Sequence, residues 1–177
     1  FIGFNAGFNE TGSSTLYISN NKTTPLIYGE FSTNPSRNKL GIGTNSITSD
    51  EAIKVWNGAH LTTGGVWTNA SSRDLKENIR PLESEEANQA LAELLPVRYV
   101  YKNSVTEEYI GFIAEDVPEL VASRDHKSLS PMDIVAVLTK VAKEQASLLS
   151  EHRAQLAKKD AAIKELRSEL NTEIKLL

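Results

Sequence analysis

The sequence predicts an α+β protein, with a β-rich segment over residues 1–70 and a small α/β domain over 71–177 that ends in a long helix over 131–177. Residues 1–70 are rich in Gly, Asn and Thr and hold only four acidic and four basic side chains, whereas 71–177 hold nineteen acidic and fifteen basic ones. After Pro131 there is no further Pro and no Gly, the two residues that most disfavour helix. A weakly charged β segment is therefore followed by a charged segment that favours helix.

The β-rich segment contains short runs of β-branched and aromatic residues, separated by turn-forming Asn, Gly and Pro. The predicted strands are 1–4, 16–18, 26–28, 39–43 and 53–56. Few of their side chains are large and apolar, and a segment of this size is marginal when it must bury a core alone. Sharing one core among several identical chains removes that difficulty. We therefore expect a fibrous β stalk wrapped around one axis, with an ordinary small β domain as the alternative.

The middle of the chain predicts a helix, a hairpin and a second, shorter helix. Apolar residues at helical spacing indicate a helix over 81–95. Aromatic and alternating runs at 97–101 and 108–114 predict an antiparallel hairpin with 102–106 as its polar connection. Acidic residues that precede an apolar run predict a short helix over 115–121.

Leucine or isoleucine recurs at a strict seven-residue spacing in the last part of the chain. The row is Leu149, Leu156, Ile163, Leu170 and Leu177. A heptad repeat predicts a left-handed coiled coil. The companion row is apolar only at Leu138 and Leu166, which indicates a weak or partly frayed coil. A long amphipathic helix folded back on its own domain is the alternative, but the rest of the domain offers little to cover it.

Composition argues against several classes of site. The chain has no Cys, and His60, His126 and His152 are scattered, so we expect no metal and no cofactor. A formal net charge of −4 argues against a nucleic-acid partner. No apolar run approaches the ~20 residues that span a bilayer, and no small-molecule substrate is evident. There is no signal peptide, and because the chain starts at Phe1 without Met we expect it to be the C-terminal piece of a longer protein.

Ser71 and Lys76 lie where the composition changes, and together they indicate self-cleavage. A neutral Lys can take the proton of a Ser hydroxyl, and burial or a nearby positive charge favours the neutral form; Arg73 and Arg80 are candidate neighbours. The carbonyl nearest in sequence is that of Ala70. Attack on it gives an ester by N-to-O acyl shift, which water then hydrolyses, so that the chain is cut between Ala70 and Ser71.

The spacing alone leaves two nucleophiles open. Ser72 lies four residues before Lys76, on the same face of a continuing helix, and therefore competes with Ser71. A Ser and a Lys five residues apart also arise by chance on polar surfaces. A solvated helix start is the alternative interpretation of the same residues.

Two motifs and the terminal helix resemble one family in order and separation. The motifs are Ser-Ser-Arg-Asp-Leu-Lys-Glu-Asn-Ile at 71–79 and Gly-Phe-Ile-Ala-Glu-Asp-Val at 111–117. Over roughly 68–177 the chain resembles the C-terminal intramolecular chaperone domain of phage endosialidases, tail fibres and neck appendages. Residues 1–70 resemble trimeric fibre stalks more loosely.

The resemblance implies a homotrimer whose helices form a three-stranded coiled coil and whose folding client is its own N-terminal stalk. It implies self-release through a Ser–Lys dyad, with Ser71 as nucleophile, Lys76 as base and the Ala70–Ser71 bond as cleavage site. The family usually carries Asp after the catalytic Ser, whereas this chain has Ser72, which keeps the choice of nucleophile open. The implied setting is a phage tail fibre or prophage-derived surface fibre made in the bacterial cytoplasm. A trimerisation module at a fibre tip that never cleaves is the alternative.

Overall fold

A computed structural model of the protein describes residues 1–176. The chain forms two compact units, Phe1–Ile79 and the part from Arg80 onward. Both residues of the predicted dyad, Ser71 and Lys76, therefore belong to the first unit. The predicted division into a fibre segment over 1–70 and a chaperone domain over 71–177 stays a prediction.

The first unit is a six-stranded sheet in which every strand neighbours the next one along the chain. Pairing is antiparallel throughout, except that the third and fourth strands run parallel. The strands are β1 Thr15–Ile18, β2 Ile27–Glu30, β3 Lys39–Ile42, β4 Glu51–Val55, β5 His60–Thr62 and β6 Trp67–Thr68.

The predicted strands at 16–18, 26–28, 39–43 and 53–56 are confirmed with end shifts of one or a few residues. The predicted strand at 1–4 is wrong, because only Ile2 makes a bridge, to Ile18. Gly3 has a φ of +108° and Asn5 a φ of +56°, and these left-handed conformations turn the chain away from an extended path. β5 and β6 were not predicted, since each is short and each is held by a turn that precedes it.

The first unit buries little apolar surface of its own. Among the described residues of this unit, the buried apolar side chains are those of Tyr28 and Pro25. Phe4 is 76% exposed and Trp56 is 72% exposed, and Phe1, Phe8 and Phe31 are exposed as well. Large apolar side chains left in water are unfavourable unless another surface covers them. The first unit therefore has a small apolar core, as its composition predicted.

A buried carboxylate joins β4 to the turn before it. Glu51 is 7% exposed, accepts the backbone N–H of Thr48 at 2.7 Å and pairs with Lys54 Nζ at 3.0 Å. The backbone hydrogen bond from Thr48, followed by the hydrogen bond and charge of Lys54, holds the pKa of Glu51 below its ordinary value. Stability of the first unit therefore depends on this carboxylate being ionised.

The second unit combines two helices with a separate hairpin. Its elements are α1 Ser84–Glu93, β7 Val97–Tyr101, β8 Ser104–Gly111 and α2 Pro131–Leu176. α1 packs on the start of α2, and the core consists of Ala87, Ala90, Leu94, Val117, Val121, Ile134, Val137 and Val141. Glu144 of α2 fastens α1 by accepting from Asn88 Nδ2 at 2.9 Å and from the hydroxyl of Ser84.

The helix predicted over 81–95 is confirmed as the shorter α1, and the hairpin is confirmed with a two-residue turn in place of the longer connection. The short helix predicted over 115–121 is wrong, because this stretch forms turns. Pro118 lies within it, lacks a backbone N–H and disfavours helical backbone at Val117. Val117 and Val121 enter the core from these turns.

α2 confirms the predicted long helix as far as the described residues extend. At ~1.5 Å per residue its 46 residues span ~69 Å. Its first turns bury Ile134, Val137 and Val141 against α1, and every side chain from 145 to 175 is exposed. Leu149, Leu156, Ile163 and Leu170 of the heptad row are among them, while Leu177 lies outside the described residues.

Candidate functional site

The segment that follows β6 carries the predicted site. Residues 69–72 have no regular structure, a single 3-10 turn covers Arg73–Leu75, and Lys76 resumes an extended backbone with φ −130° and ψ 141°. The turn is closed by backbone hydrogen bonds from Leu75 N to Ser72 O and from Lys76 N to Arg73 O. A 3-10 turn is tighter than an α-helical one and brings residues three apart into register. It therefore shortens the path between Ser71 and Lys76.

The structure brings the two predicted dyad residues into contact. Lys76 Nζ donates a hydrogen bond to Ser71 Oγ at 2.7 Å. Such a distance is at the short end for an N–H donor to an oxygen acceptor. Proton transfer from a hydroxyl to an amine needs this contact, and here it forms within one chain.

Ser72, the competing nucleophile, has a different partner. It is the N-cap of the 3-10 turn: its Oγ accepts the backbone N–H of Asp74 at 3.3 Å and lies 3.4 Å from Asp74 Oδ2, to which it donates. Ser and Asp are both preferred N-cap residues. The departure from the family pattern at this position therefore keeps the capping chemistry, and the hydroxyl in contact with Lys76 is that of Ser71.

Ala70, on the other side of the expected cleavage bond, is half-buried. A Cβ built on Gly58, in the turn between β4 and β5, would lie 4.0 Å from the Ala70 Cβ. Trp67 Nε1 donates to Asn69 Oδ1 at 3.0 Å just upstream. The chain is thus partly covered at Ala70 and exposed from Ser71 onward.

Every residue from Ser71 to Arg80 is exposed, including the candidate neighbours Arg73 and Arg80. In this contact Lys76 Nζ donates and the hydroxyl of Ser71 accepts. The reaction requires the reverse roles. In a single chain Ser71 and Lys76 are in hydrogen-bond contact, but both residues are exposed to solvent.

Residues 71–125 match the model of the family described as chaperone of endosialidase, Peptidase_S74. The resemblance stated from the sequence is confirmed over these residues, and it supports an intramolecular chaperone role, a peptidase-like activity and a phage tail-fibre setting. No curated protein and no solved structure gave a match to the chain.

Within residues 1–176, no three His, Asp or Glu side chains come together in a way that could hold a metal ion. No helix in that range combines the length and the apolar character needed to cross a membrane.

Sequence reasoning missed the role of Ser72. The signal was available, since a Ser two residues before an Asp is a common start for a helical turn. It was obscured because the same hydroxyl also stood at helical spacing from Lys76. The 3-10 turn ends before Lys76, so that spacing does not bring the two side chains to one helix face.

Proposed function

We propose that this chain is an intramolecular chaperone that trimerises, guides folding of the preceding stalk, and then releases itself by cutting the Ala70–Ser71 bond. The observation that carries the cleavage step is the 2.7 Å hydrogen bond between Lys76 Nζ and Ser71 Oγ. The match of 71–125 to the endosialidase chaperone family supports the same role.

The reaction is an N-to-O acyl shift followed by hydrolysis. Neutral Lys76 takes the hydroxyl proton as Ser71 Oγ bonds to the carbonyl carbon of Ala70. The carbon–nitrogen bond then breaks, and Lys76 returns the proton to the departing amine of Ser71. Water hydrolyses the ester, leaving a carboxylate on Ala70 and the restored hydroxyl on Ser71. No cofactor takes part.

Exposure of the dyad supports a requirement for assembly. Lys76 must lose its proton to act as base, and removal from water favours the neutral amine. In the single chain the segment 71–80 is exposed throughout. Neighbouring subunits that cover this segment would supply the missing burial, so that cleavage follows trimerisation.

Two further observations support a trimer built from both units. The first unit leaves Phe4 and Trp56 exposed and has a thin core. α2 exposes the heptad row from Leu149 to Leu170. Joining three helices places three stalk segments at high local concentration, which lowers the entropic cost of pairing strands from different chains. Cleavage then makes the folded stalk independent of the chaperone.

Denaturing electrophoresis of freshly made protein tests the cleavage step. We expect fragments of 70 and 107 residues, with residues 71–177 beginning at a free Ser71 by amino-terminal sequencing. Ser71→Ala, hereafter the uncleaved variant, and Lys76→Met should both leave the whole chain. Lys22→Met is the matched control, because Lys22 is an exposed lysine of the same unit that lies outside the segment, and it should still be cut.

A chain that stays whole in the wild type while forming a stable trimer would refute the peptidase role and favour the permanent trimerisation module. Cutting that persists in the Ser71→Ala chain but stops in Ser72→Ala would move the nucleophile to Ser72. A monomer that cuts itself at the same rate on high dilution would refute the link to assembly.

A further inference from the structure

We propose that Ser72 is a positioning residue for the self-cleavage reaction, acting as the cap of the 3-10 turn that holds Lys76 against Ser71. The inference rests on the proposed function, because a positioning role needs a reaction. The hydroxyl of Ser72 could chemically act as the nucleophile, but in the structure it caps the 3-10 turn.

The first step is the location of Ser72 between the dyad residues. The chain from Ser71 to Lys76 contains one ordered element, the turn Arg73–Leu75. Two backbone hydrogen bonds close it, and their acceptors are the carbonyls of Ser72 and Arg73. A three-residue turn has little cooperative stability, so its population depends on its cap.

The second step is the pair of contacts that the Ser72 hydroxyl makes with Asp74. Its Oγ accepts from the Asp74 backbone N–H at 3.3 Å and donates toward Asp74 Oδ2 at 3.4 Å. The first contact satisfies a backbone donor that the turn leaves unpaired. The second orients the hydroxyl, because its proton points to the carboxylate and its lone pair points to the amide.

The third step connects the cap to the reacting atoms. The backbone of this segment is exposed throughout, so neighbouring side chains of the same unit contribute little to its order. Opening of the turn would extend the chain between Ser71 and Lys76 and lengthen the 2.7 Å contact. The rate of proton transfer is therefore proportional to the fraction of molecules in which the turn is closed.

The test compares three substitutions at one position. Ser72→Ala removes the cap and should slow cleavage in assembled protein about five-fold, the equivalent of ~1 kcal/mol for a typical N-cap side chain. Ser72→Asp and Ser72→Asn restore a capping oxygen without a hydroxyl and should return the rate to near that of the wild type. Trimer formation and thermal unfolding should be the same in all three variants.

A second measurement does not depend on cleavage. Hydrogen exchange of the Asp74 amide, followed by nuclear magnetic resonance in the uncleaved variant, should become several-fold faster with Ser72→Ala and slow again with Ser72→Asp. Exchange that is unaffected by Ser72→Ala would overturn the cap. Faster exchange with an unchanged cleavage rate would overturn the positioning role.

The outcomes separate this inference from the proposed function. If Ser72→Asp and Ser72→Asn abolish cutting as completely as Ser71→Ala does, Ser72 is the nucleophile and the inference is refuted while self-cleavage stands. If the wild-type chain never cuts, the proposed function is refuted and the positioning role with it.

Discussion

Leu148 and Leu149 are adjacent in α2 and are 53% and 51% exposed in the single chain, yet the heptad row includes only Leu149. Comparing Leu149→Ala with Leu148→Ala therefore separates the effect of losing a side chain buried between helices from the effect of losing exposed apolar surface. Leu→Ala changes at buried sites cost about 2–5 kcal/mol, and since roughly half of this side chain remains to be covered, we take ~2 kcal/mol for each chain.

Three chains lose ~6 kcal/mol in total, which changes the trimer dissociation constant by a factor of ~10⁴ at 1.4 kcal/mol per decade. That constant contains the square of a concentration. The concentration for half-assembly should therefore rise about 100-fold in Leu149→Ala. Leu148 lies beside the heptad row, so Leu148→Ala should raise the concentration for half-assembly only a few-fold.

The assay is a dilution series of the uncleaved variant followed by light scattering, with the extent of cleavage measured in parallel in chains that retain Ser71. Cleavage should fall over the same concentration range as assembly. Equal shifts for Leu148→Ala and Leu149→Ala, or no shift for either, would refute the assignment of the seam.

Three further predictions concern stability and use chemical or thermal denaturation of the uncleaved variant. Val137→Ala removes two methyl groups from the α1–α2 core and should destabilise the second unit by about 2 kcal/mol, which lowers the denaturant midpoint. An unchanged midpoint would contradict the described packing. Gly41→Ala would force a Cβ onto a backbone carbonyl oxygen and should cost about 1–3 kcal/mol in the first unit, whereas Gly64→Ala, which meets no atom closer than 3.7 Å, should be nearly neutral. The pKa of Glu51 is lowered in the folded state, so its contribution is present above the unfolded carboxylate pKa of about 4.3 and is lost as the pH falls through the folded value. The Tm of the first unit should therefore drop on acidification, and drop less in Glu51→Gln; identical pH profiles would show that this carboxylate carries no such dependence.

Much of the second unit could be predicted from sequence because its signals are local. The absence of Gly and Pro after Pro131 and the spacing of the leucines depend only on neighbours along one helix, and α2 follows them. The hairpin β7–β8 is likewise formed by adjacent segments. Two predicted elements were wrong where the sequence also contained a residue that disfavours them. Pro118 lies inside the stretch expected to be helical, and Gly3 lies inside the run expected to be a strand.

Sequence alone indicated a Ser and a Lys at a change in composition, the long helix and the β-rich character of the first unit. Only the tertiary structure decided that β3 and β4 run parallel, that Val117 and Val121 reach the core from turns, and that the hydroxyl of Ser72 is engaged by Asp74 while that of Ser71 contacts Lys76. The physical reason is that helical spacing and composition are properties of neighbours along the chain. Which of two adjacent hydroxyls is left to contact a base depends instead on where a three-residue turn begins and ends.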